Sequence, residues 1–199
     1  MCKQLGVYEV VLVCSELRRT LKLLYALAHG LAPHSSKWVS RCVRVLRRLA
    51  PQPQDLLELP GGLALATRST SGLFAGVTAV AIGSSKWREE YMPLMRVAGA
   101  DVCTDLKNLP VGKCKVAGRA PAHTYPYVSG GERVLSRGLV VLESASENSS
   151  AVSSAMNTGT PIVLIEWVKK SLMERHICKI TSLRDQIKQE AARQAKTKL

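Results

Sequence analysis

The chain has few aromatic residues and no long apolar run, and these absences exclude whole classes of protein. Aromatic residues make up 5% of its 199 positions, so aliphatic side chains supply most of the 46% that is hydrophobic. The longest apolar runs are far shorter than the roughly 18 residues of a membrane span. No long apolar segment with a cleavage site follows Met1, which argues against a secretory signal. The composition predicts a soluble, intracellular protein with a real hydrophobic core.

The motifs of several enzyme classes are also missing. Gly112-Lys113-Cys114 resembles the end of a P-loop, but Lys107 stands where the upstream glycine is required. The sequence has no G-x-S-x-G elbow and no H-E-x-x-H pair, and its four histidines are isolated. A Rossmann-like domain for a small ligand is disfavoured because the Gly-rich phosphate loop is absent. We therefore expect neither an enzyme nor a cofactor.

The six cysteines lack the spacing of a metal site. They include no C-x-x-C pair and no combination with histidine at zinc-finger spacing. Several lie inside apolar runs, as Cys14 does after Val13, which is typical of buried free thiols in a reducing compartment. We expect no metal.

Acidic residues are scarce relative to basic ones. The 28 Lys and Arg against 15 Asp and Glu give a formal net charge of +13. This excess favours acidic partners, which include nucleic acid, phosphorylated peptides and acidic protein surfaces. A basic, solvated surface with a basic tail explains the charge equally well, so charge alone does not choose a function.

The first fifty residues alternate strand and helix patterns. A Val-rich segment at 7–14 predicts a strand buried on both faces, as in a parallel sheet. A helical apolar period runs from Leu17 to Ala28, and Gly30 follows where a helix stop is expected. Residues 38–49 predict a basic amphipathic helix. Its apolar side comprises Trp38, Val39, Cys42, Val43, Leu46 and Leu49, and the other side carries Arg41, Arg44, Arg47 and Arg48.

After a linker rich in Pro and Gly at 50–72, the pattern of strands and helices resumes. Strands are expected at 77–82, 101–104, 139–142 and 161–165, and helices at 84–98, 149–158 and 166–175. Residues 106–137 are rich in Pro, Gly and Lys and predict a long insertion loop. The polar segment 182–199 is expected to be a solvated or frayed helix, a basic arm at best.

Parts of the two halves align without a gap. Gly30 and Gly159 are 129 positions apart, and so are Trp38 and Trp167. The apolar strand at 11–13 maps onto 140–142 at the same offset. A fixed order of strand, helix, Gly, strand and Trp-containing helix indicates one supersecondary unit used twice. Alternating strands and helices of this kind imply parallel sheets flanked by helices.

This unit resembles the C-terminal half of the BRCT repeat, which has a buried Trp on its last helix. Residues 73–180 are similar to a whole repeat, with Phe74-Ala75-Gly76 before the first strand and Gly99-Ala100 after the first helix. A closer resemblance is to the tandem BRCT region of the p-fifty-three-binding checkpoint mediator family. Three stretches carry it: residues 18–39, Glu58-Leu59-Pro60-Gly61-Gly62 and residues 160–168.

The resemblance implies an α/β fold of two BRCT-type units, the first of them incomplete. The implied parts are the C-terminal part of a first repeat at 1–49, a linker at 50–72, a second repeat at 73–180 with its insertion loop at 106–137, and a basic polar tail at 181–199. The implied structural hallmarks are Trp38, Trp167, Gly30, Gly159 and Gly99. Because the first repeat lacks its first strand, first helix and second strand, the resemblance also implies that the Ser/Thr half of a phosphate pocket is absent.

The resemblance further implies a phosphopeptide-binding scaffold of the DNA damage response, which recruits partners to damaged chromatin in the nucleus. Lys22 matches the phosphate-binding Lys at the start of the second helix of the first repeat, and Arg18 and Arg19 lie one turn earlier. Charge-assisted hydrogen bonds and the helix dipole favour a phosphate there. The implied partners are phosphorylated protein tails of the histone type and a tumour-suppressor transcription factor. A basic nucleic-acid-binding module that ignores phosphorylation is the alternative, and direct nucleic-acid binding stays open.

Overall fold

The chain folds into two α/β units, shown by a computed structural model. The structure describes residues 10–59, 72–109, 138–144, 150–157 and 160–197. The first unit contains, in chain order, β1 (Leu12–Cys14), α1 (Leu21–Ala28), β2 (Pro33–Ser35) and α2 (Ser36–Arg44). The second contains β3 (Thr78–Ile82), α3 (Ser85–Val97), β4 (Asp101–Cys103), β5 (Gly138–Leu142), α4 (Ser150–Asn157), β6 (Ile162–Leu164), α5 (Ile165–Glu174) and α6 (Leu183–Thr197).

Both sheets are parallel, as the sequence predicted. In the first unit β1 pairs with β2. In the second the strand order is β4-β3-β5-β6, and every neighbouring pair is parallel. Strand β5 is buried along its whole length because strands flank it on both edges and helices cover its faces. The α/β fold with helices flanking parallel sheets is thus confirmed.

The two units follow the same backbone path at the offset of 129 residues. Helices α1 and α4 begin and end 129 positions apart, and so do strands β2 and β6. The chain leaves both Trp-containing helices through a left-handed residue, Leu46 (φ 51°) in the first unit and Arg175 (φ 53°) in the second. The strand pairing differs by one residue: Leu12 pairs with Pro33, whereas its counterpart Val141 pairs with Val163, one position beyond the counterpart of Pro33. The repeat seen in the sequence is therefore a repeat of structure.

The tryptophan of each unit is held by the same hydrogen bond. Nε1 of Trp38 donates to the backbone carbonyl of Leu49 at 3.1 Å, and Nε1 of Trp167 donates to that of Cys178 at 3.1 Å. Both rings are buried. Each indole therefore packs in a core while its polar N–H is satisfied by the segment that follows its helix.

Helix α1 has two buried faces, whereas its counterpart α4 has one. Leu24 and Leu27 are fully buried, but the residues at the same positions of α4, Ser153 and Met156, are exposed. The additional face of α1 packs on α3 and α5 of the second unit. The hydroxyl of Tyr25 donates to the backbone carbonyl of Glu90 at 3.1 Å across this contact. One hydrophobic core consequently runs through both units.

The apolar side of α2 is largely exposed, which contradicts the expectation from its period. Only Trp38 is buried on this helix. Val39 and Val43 are 39% and 64% exposed, whereas their counterparts Val168 and Leu172 are 1% and 0% exposed. The reason is that α5 packs against a four-stranded sheet, while the described sheet of the first unit has two strands. The helix also ends at Arg44, five residues earlier than the apolar period predicted.

The C-terminal segment is not merely a solvated arm. It forms α6, which packs against β6. Gln186 of α6 is buried, and its side chain forms hydrogen bonds with the backbone of Ile162 and Leu164 at the edge of the sheet. The expectation of a free, frayed helix is therefore wrong for the part that carries Gln186.

Several predicted features lie outside the described residues. They include residues 7–9 of the predicted first strand, Gly159, residues 60–71 of the linker and residues 110–137 of the insertion loop. The described part of the linker is packed, since Leu56 bridges to His34 and Leu59 is buried in the shared core. The domain boundaries stay predictions. Among the described residues, no helix is long and apolar enough to cross a membrane.

Candidate functional site

The candidate phosphate-binding residues surround the N-terminus of α1. Thr20 caps this helix, because its side-chain oxygen accepts a hydrogen bond from the N–H of Leu23 at 3.3 Å. The first turn contains no acidic residue, so no carboxylate of the helix itself offsets the partial positive charge of the helix end. Lys22 lies in that turn and is exposed. This end of the helix is thus electropositive.

The three cations differ in their partners. Arg18 pairs with Glu16 at 2.6 Å, and both side chains are exposed. Arg19 reaches Glu166 of the second unit at 3.6 Å. No ion pair joins Lys22 to a described residue. Lys22 can therefore bind an anion from outside the chain without losing an ion pair, whereas Arg18 and Arg19 would first have to break theirs.

Glu166 is the centre of a charge cluster at the junction of the two units. Besides Arg19 it contacts Lys169 at 2.6 Å and Arg193 of α6 at 3.6 Å. Desolvation lowers the pKa of Lys169, but the bond to Glu166 and the nearby Tyr91 raise it more, so the net shift is upward. The cluster links the segment just before α1 to α5 and α6 through one carboxylate.

The N-terminus of α3 in the second unit already holds an anion. The carboxylate of Glu143, just after β5, accepts hydrogen bonds from the backbone N–H of Ser84 at 2.6 Å and from its hydroxyl at 3.2 Å. A helix N-terminus with free N–H groups is a ready anion site. Here an internal carboxylate fills that site. The position of Glu143 corresponds in the first unit to Cys14, which carries no such group.

A buried arginine, Arg175, connects the two units. Arg175 is 1% exposed, and its Nη2 donates to the backbone carbonyl of Leu31 at 2.8 Å. Burial lowers the pKa of its guanidinium. Nothing in the sequence signals this role, because Arg175 resembles any other basic residue at the end of a basic helix.

Two of the three glycines predicted as hallmarks, Gly30 and Gly99, lie among the described residues, and each closes a helix. Gly30 (φ 79°) donates its N–H to the carbonyl of Leu27 at 2.8 Å, and Gly99 (φ 98°) donates to that of Arg96 at 2.9 Å. Left-handed backbone at a helix end favours glycine. At Gly99 a Cβ atom would also lie 2.8 Å from the Cα of Gly72. These two glycines are therefore structural.

The basic side of α2 is only partly available. Arg41 donates to Asp55 at 2.9 Å, and the Asp55 side chain is 3% exposed, so this arginine holds the linker against the helix. Arg44 and Arg47 are exposed. The alternative of nucleic-acid binding would use the four arginines predicted on this side; Arg44 and Arg47 present free surface, while Arg48 interacts within the chain.

Sequence reasoning missed one cluster of polar residues after α5. Glu174, His176 and Cys178 converge there. Burial, opposed in part by the hydroxyl of Ser171 and reinforced by Glu174, raises the pKa of the Cys178 thiol to about 11. The three residues stand at alternate positions, which differs from the spacing of zinc-finger ligands, so the sequence carried no signal for the cluster.

Comparisons with known proteins bear on the fold. No protein-family model matches the chain, and no curated protein matches it in sequence. The chain is similar to the solved BRCT5-BRCT6 domains of Brc1 from S. pombe, with a TM-score of 0.51 and 17% identity over 83% of this chain and 77% of that one. It is also similar to Rtt107p in complex with a phosphorylated histone, with a TM-score of 0.51 and 11% identity over 91% and 81% of the two chains. Taken with its two repeated α/β units, the chain has the fold of a tandem pair of BRCT domains.

Proposed function

We propose that this chain is a phosphopeptide-binding scaffold module of a DNA damage checkpoint mediator, similar to the p-fifty-three-binding family. It recruits partners to damaged chromatin in the nucleus during double-strand break repair. Its partners are phosphorylated tails of the histone type and, through the mediator family, a tumour-suppressor transcription factor. The resemblance of residues 18–39 and 160–168 to that family supports the finer assignment.

One observation carries the proposal. Helix α1 uses its second buried face to dock on α3 and α5, which leaves its electropositive N-terminal turn exposed beside the junction of the two units. Lys22 lies on that turn, and Arg18 and Arg19 precede it. A doubly charged phosphate gains from such donors because charge-assisted hydrogen bonds are about twice as strong as neutral ones. The similar fold of Rtt107p, solved with a phosphorylated histone, is in keeping with this use.

The second unit is the poorer phosphate site for two reasons: the N-terminus of α3 is already occupied, and α4, the counterpart of α1, lacks the lysine. Glu143 fills the anion position there, and a phosphate would have to displace that carboxylate against like-charge repulsion. At offset 129 Lys22 corresponds to Ala151, so the second unit also lacks the cation. This asymmetry supports the proposal that the first unit recognises phosphate while the second gives structural support.

Paired peptides test the proposal. The affinity of the full chain for a histone-tail peptide with one phosphoserine is compared with its affinity for the unphosphorylated peptide by fluorescence anisotropy. Loss of one hydrogen bond between charged groups removes about 1.5–3 kcal/mol, so Lys22→Met should weaken binding of the phosphopeptide by about tenfold or more and leave that of the other peptide unchanged.

Lys37→Met is the matched control, because Lys37 is also an exposed lysine in the first turn of a helix. It should leave the preference for phosphate intact. Equal affinity of the native chain for both peptides contradicts the proposal as a whole. A preference that survives Lys22→Met contradicts only the assignment of Lys22.

A nucleic-acid-binding module is the second candidate, favoured by the exposed Arg44 and Arg47. It predicts an affinity for duplex DNA that falls steeply with salt, as counterion release requires. Arg44→Gln with Arg47→Gln should flatten that dependence. Arg41→Gln is unsuitable for this test, since Arg41 holds the buried Asp55.

A further inference from the structure

Three side chains with metal-binding atoms meet where α5 ends. Glu174 is the last residue of the helix, and His176 and Cys178 follow at alternate positions. One ligand atom from each residue lies within 4.8 Å of the other two. Residues two apart on a helix do not face each other. The left-handed Arg175 (φ 53°) ends the helix and turns the chain, which brings the three together.

The separations resemble those within the ligand sphere of zinc. Sγ of Cys178 lies 3.3 Å from Oε2 of Glu174, and Nε2 of His176 lies 3.5 Å from the same oxygen. Zinc bonds of roughly 2.3 Å to sulfur and roughly 2.0–2.2 Å to nitrogen or oxygen, set at tetrahedral angles, place ligand atoms about 3.3–3.7 Å apart. Two of the three separations therefore already match such a sphere.

The backbone of the cluster is held in place before any ion binds. The N–H of Cys178 donates to the hydroxyl of Ser171 at 3.2 Å, and its carbonyl accepts from Nε1 of Trp167 at 3.1 Å. Nδ1 of His176 lies 3.0 Å from the carbonyl oxygen of Glu174. The tautomer with its proton on Nδ1 makes that hydrogen bond and leaves the Nε2 lone pair for a metal, the arrangement usual for histidine ligands.

We propose that Glu174, His176 and Cys178 bind one Zn²⁺ ion, with the fourth position left to water or an outside ligand. A thiolate, an imidazole and a carboxylate suit zinc, whereas Mg²⁺ and Ca²⁺ require sets of oxygen ligands. Binding releases the thiol proton to solvent and takes histidine in its neutral form, so no redox partner is needed. Glu174 and His176 are 25% and 31% exposed, which gives the ion a path to the buried sulfur.

The site belongs to the second unit alone. The residues at the same positions of the first unit are Val45, Arg47 and Leu49, which offer no comparable set of ligands. The backbone frame is shared, because Leu49 accepts from Trp38 as Cys178 accepts from Trp167. The ion would tie the end of α5 to the segment that leads into α6. It is independent of phosphate binding.

The test uses the full chain after dialysis against a chelator. Zn²⁺ affinity is measured by competition with a chromophoric chelator, and Co²⁺ serves as a spectroscopic probe because a thiolate ligand gives it a charge-transfer band in the near ultraviolet. The native chain should bind one equivalent of Zn²⁺ through this cluster. Mutation of residues that only support metal ligands already weakens metal binding by about 10–100-fold. His176→Gln and Cys178→Ser remove ligands themselves, so each should weaken Zn²⁺ binding by at least about tenfold.

His29→Gln and Cys103→Ser are the matched controls, since they remove a histidine and a free thiol that lie outside the cluster. Both should keep the affinity and the cobalt band. Zn²⁺ should raise the melting temperature of the native chain and of the Lys22→Met variant, but not that of His176→Gln. His176 is half-buried, so this variant keeps the test valid where Cys178→Ser fails to fold. Absence of tight binding, or a cobalt–thiolate band that persists in His176→Gln and Cys178→Ser, overturns the proposal.

Discussion

Replacing Gln186 with alanine should release helix α6 from the edge of the second sheet. Strand β6 is the last strand of that sheet, and its outer backbone groups have no strand partner among the described residues. The side chain of Gln186 takes that place. Its Oε1 accepts from the N–H of Leu164 at 2.9 Å, and its Nε2 donates to the carbonyls of Ile162 at 3.1 Å and Thr181 at 2.9 Å. One amide thus caps an edge that would otherwise be open.

The size of the effect follows from these three bonds. A typical hydrogen bond contributes about 0.5–1.5 kcal/mol net, and a buried group left without a partner costs about 1–3 kcal/mol. We expect Gln186→Ala to lower the free energy of unfolding by about 2–4 kcal/mol, since water can reach part of the edge once α6 moves. Helix propensity acts in the opposite direction because alanine favours helix more than glutamine does, so the loss cannot come from α6 itself.

Urea unfolding followed by tryptophan fluorescence measures this loss. The matched control is Gln189→Ala on the same helix, where the side chain is exposed, and the expected change is within about 0.5 kcal/mol. Hydrogen exchange across 162–164 should accelerate in Gln186→Ala only. Equal stability of the two variants, with unchanged exchange in β6, would show that the amide does not hold α6 to the sheet.

Two further predictions each compare a pair of positions, the first related by the repeat and the second in contact in the structure. Leu27→Ala should cost about 2–5 kcal/mol, as buried leucines do, because Leu27 packs between the units. Met156→Ala, 129 positions later and 56% exposed, should cost no more than about 0.5 kcal/mol, and thermal unfolding of both variants checks the contrast. Gly99→Ala should cost more than the roughly 1–2 kcal/mol of left-handed backbone, since its Cβ would also lie 2.8 Å from Gly72. Gly72→Ala, whose Cβ has ordinary contacts, should incur the backbone strain alone, and an equal loss in both would contradict the steric argument.

The sheet of the second unit could be predicted from the sequence because buried parallel strands leave a strong mark on composition. The expectation of a strand buried on both faces at 7–14 is wrong for its described part, since β1 is Leu12–Cys14 and Val13 is 38% exposed. The run Leu139-Val140-Val141-Leu142 has no polar position, and strand β5 is indeed buried along its length. Gly30 marks a helix end, and the two tryptophans that repeat at the fixed offset mark core positions. Their spacing survives because it is set by the geometry of one folding unit.

Burial that depends on a neighbouring element could not be predicted. The apolar period of α2 is as clear as that of α5, yet Val43 is exposed and Leu172 is not. A period shows which side of a helix is apolar, and it does not show what packs there. The second buried face of α1 illustrates the same limit, since nothing local distinguishes Leu24 and Leu27 from the residues that face their own sheet.

Single polar residues with a structural role were hidden for another reason. Gln186 belongs to a helix of polar residues, and only the position of β6 selects it for burial. Arg175 adopts a left-handed backbone that arginine rarely takes, so the turn that gathers Glu174, His176 and Cys178 had no sequence signal. In each case the deciding contact is distant in sequence or depends on an unusual backbone angle.

The shared frame explains how two similar units can present different side chains at the same positions. Each unit pins its tryptophan to the segment after the helix, so positions 45, 47 and 49 follow the same local path as Glu174, His176 and Cys178. What differs is the side chains on that frame and the surface they meet. Helix α1 gains a second apolar face and docks on the other unit, which fixes the orientation of its electropositive end. The phosphate binding that we propose at Lys22 should therefore weaken in Leu27→Ala, which leaves every charge in place, because the junction positions the cation. The affinity of this variant for the phosphopeptide, measured by fluorescence anisotropy, checks this.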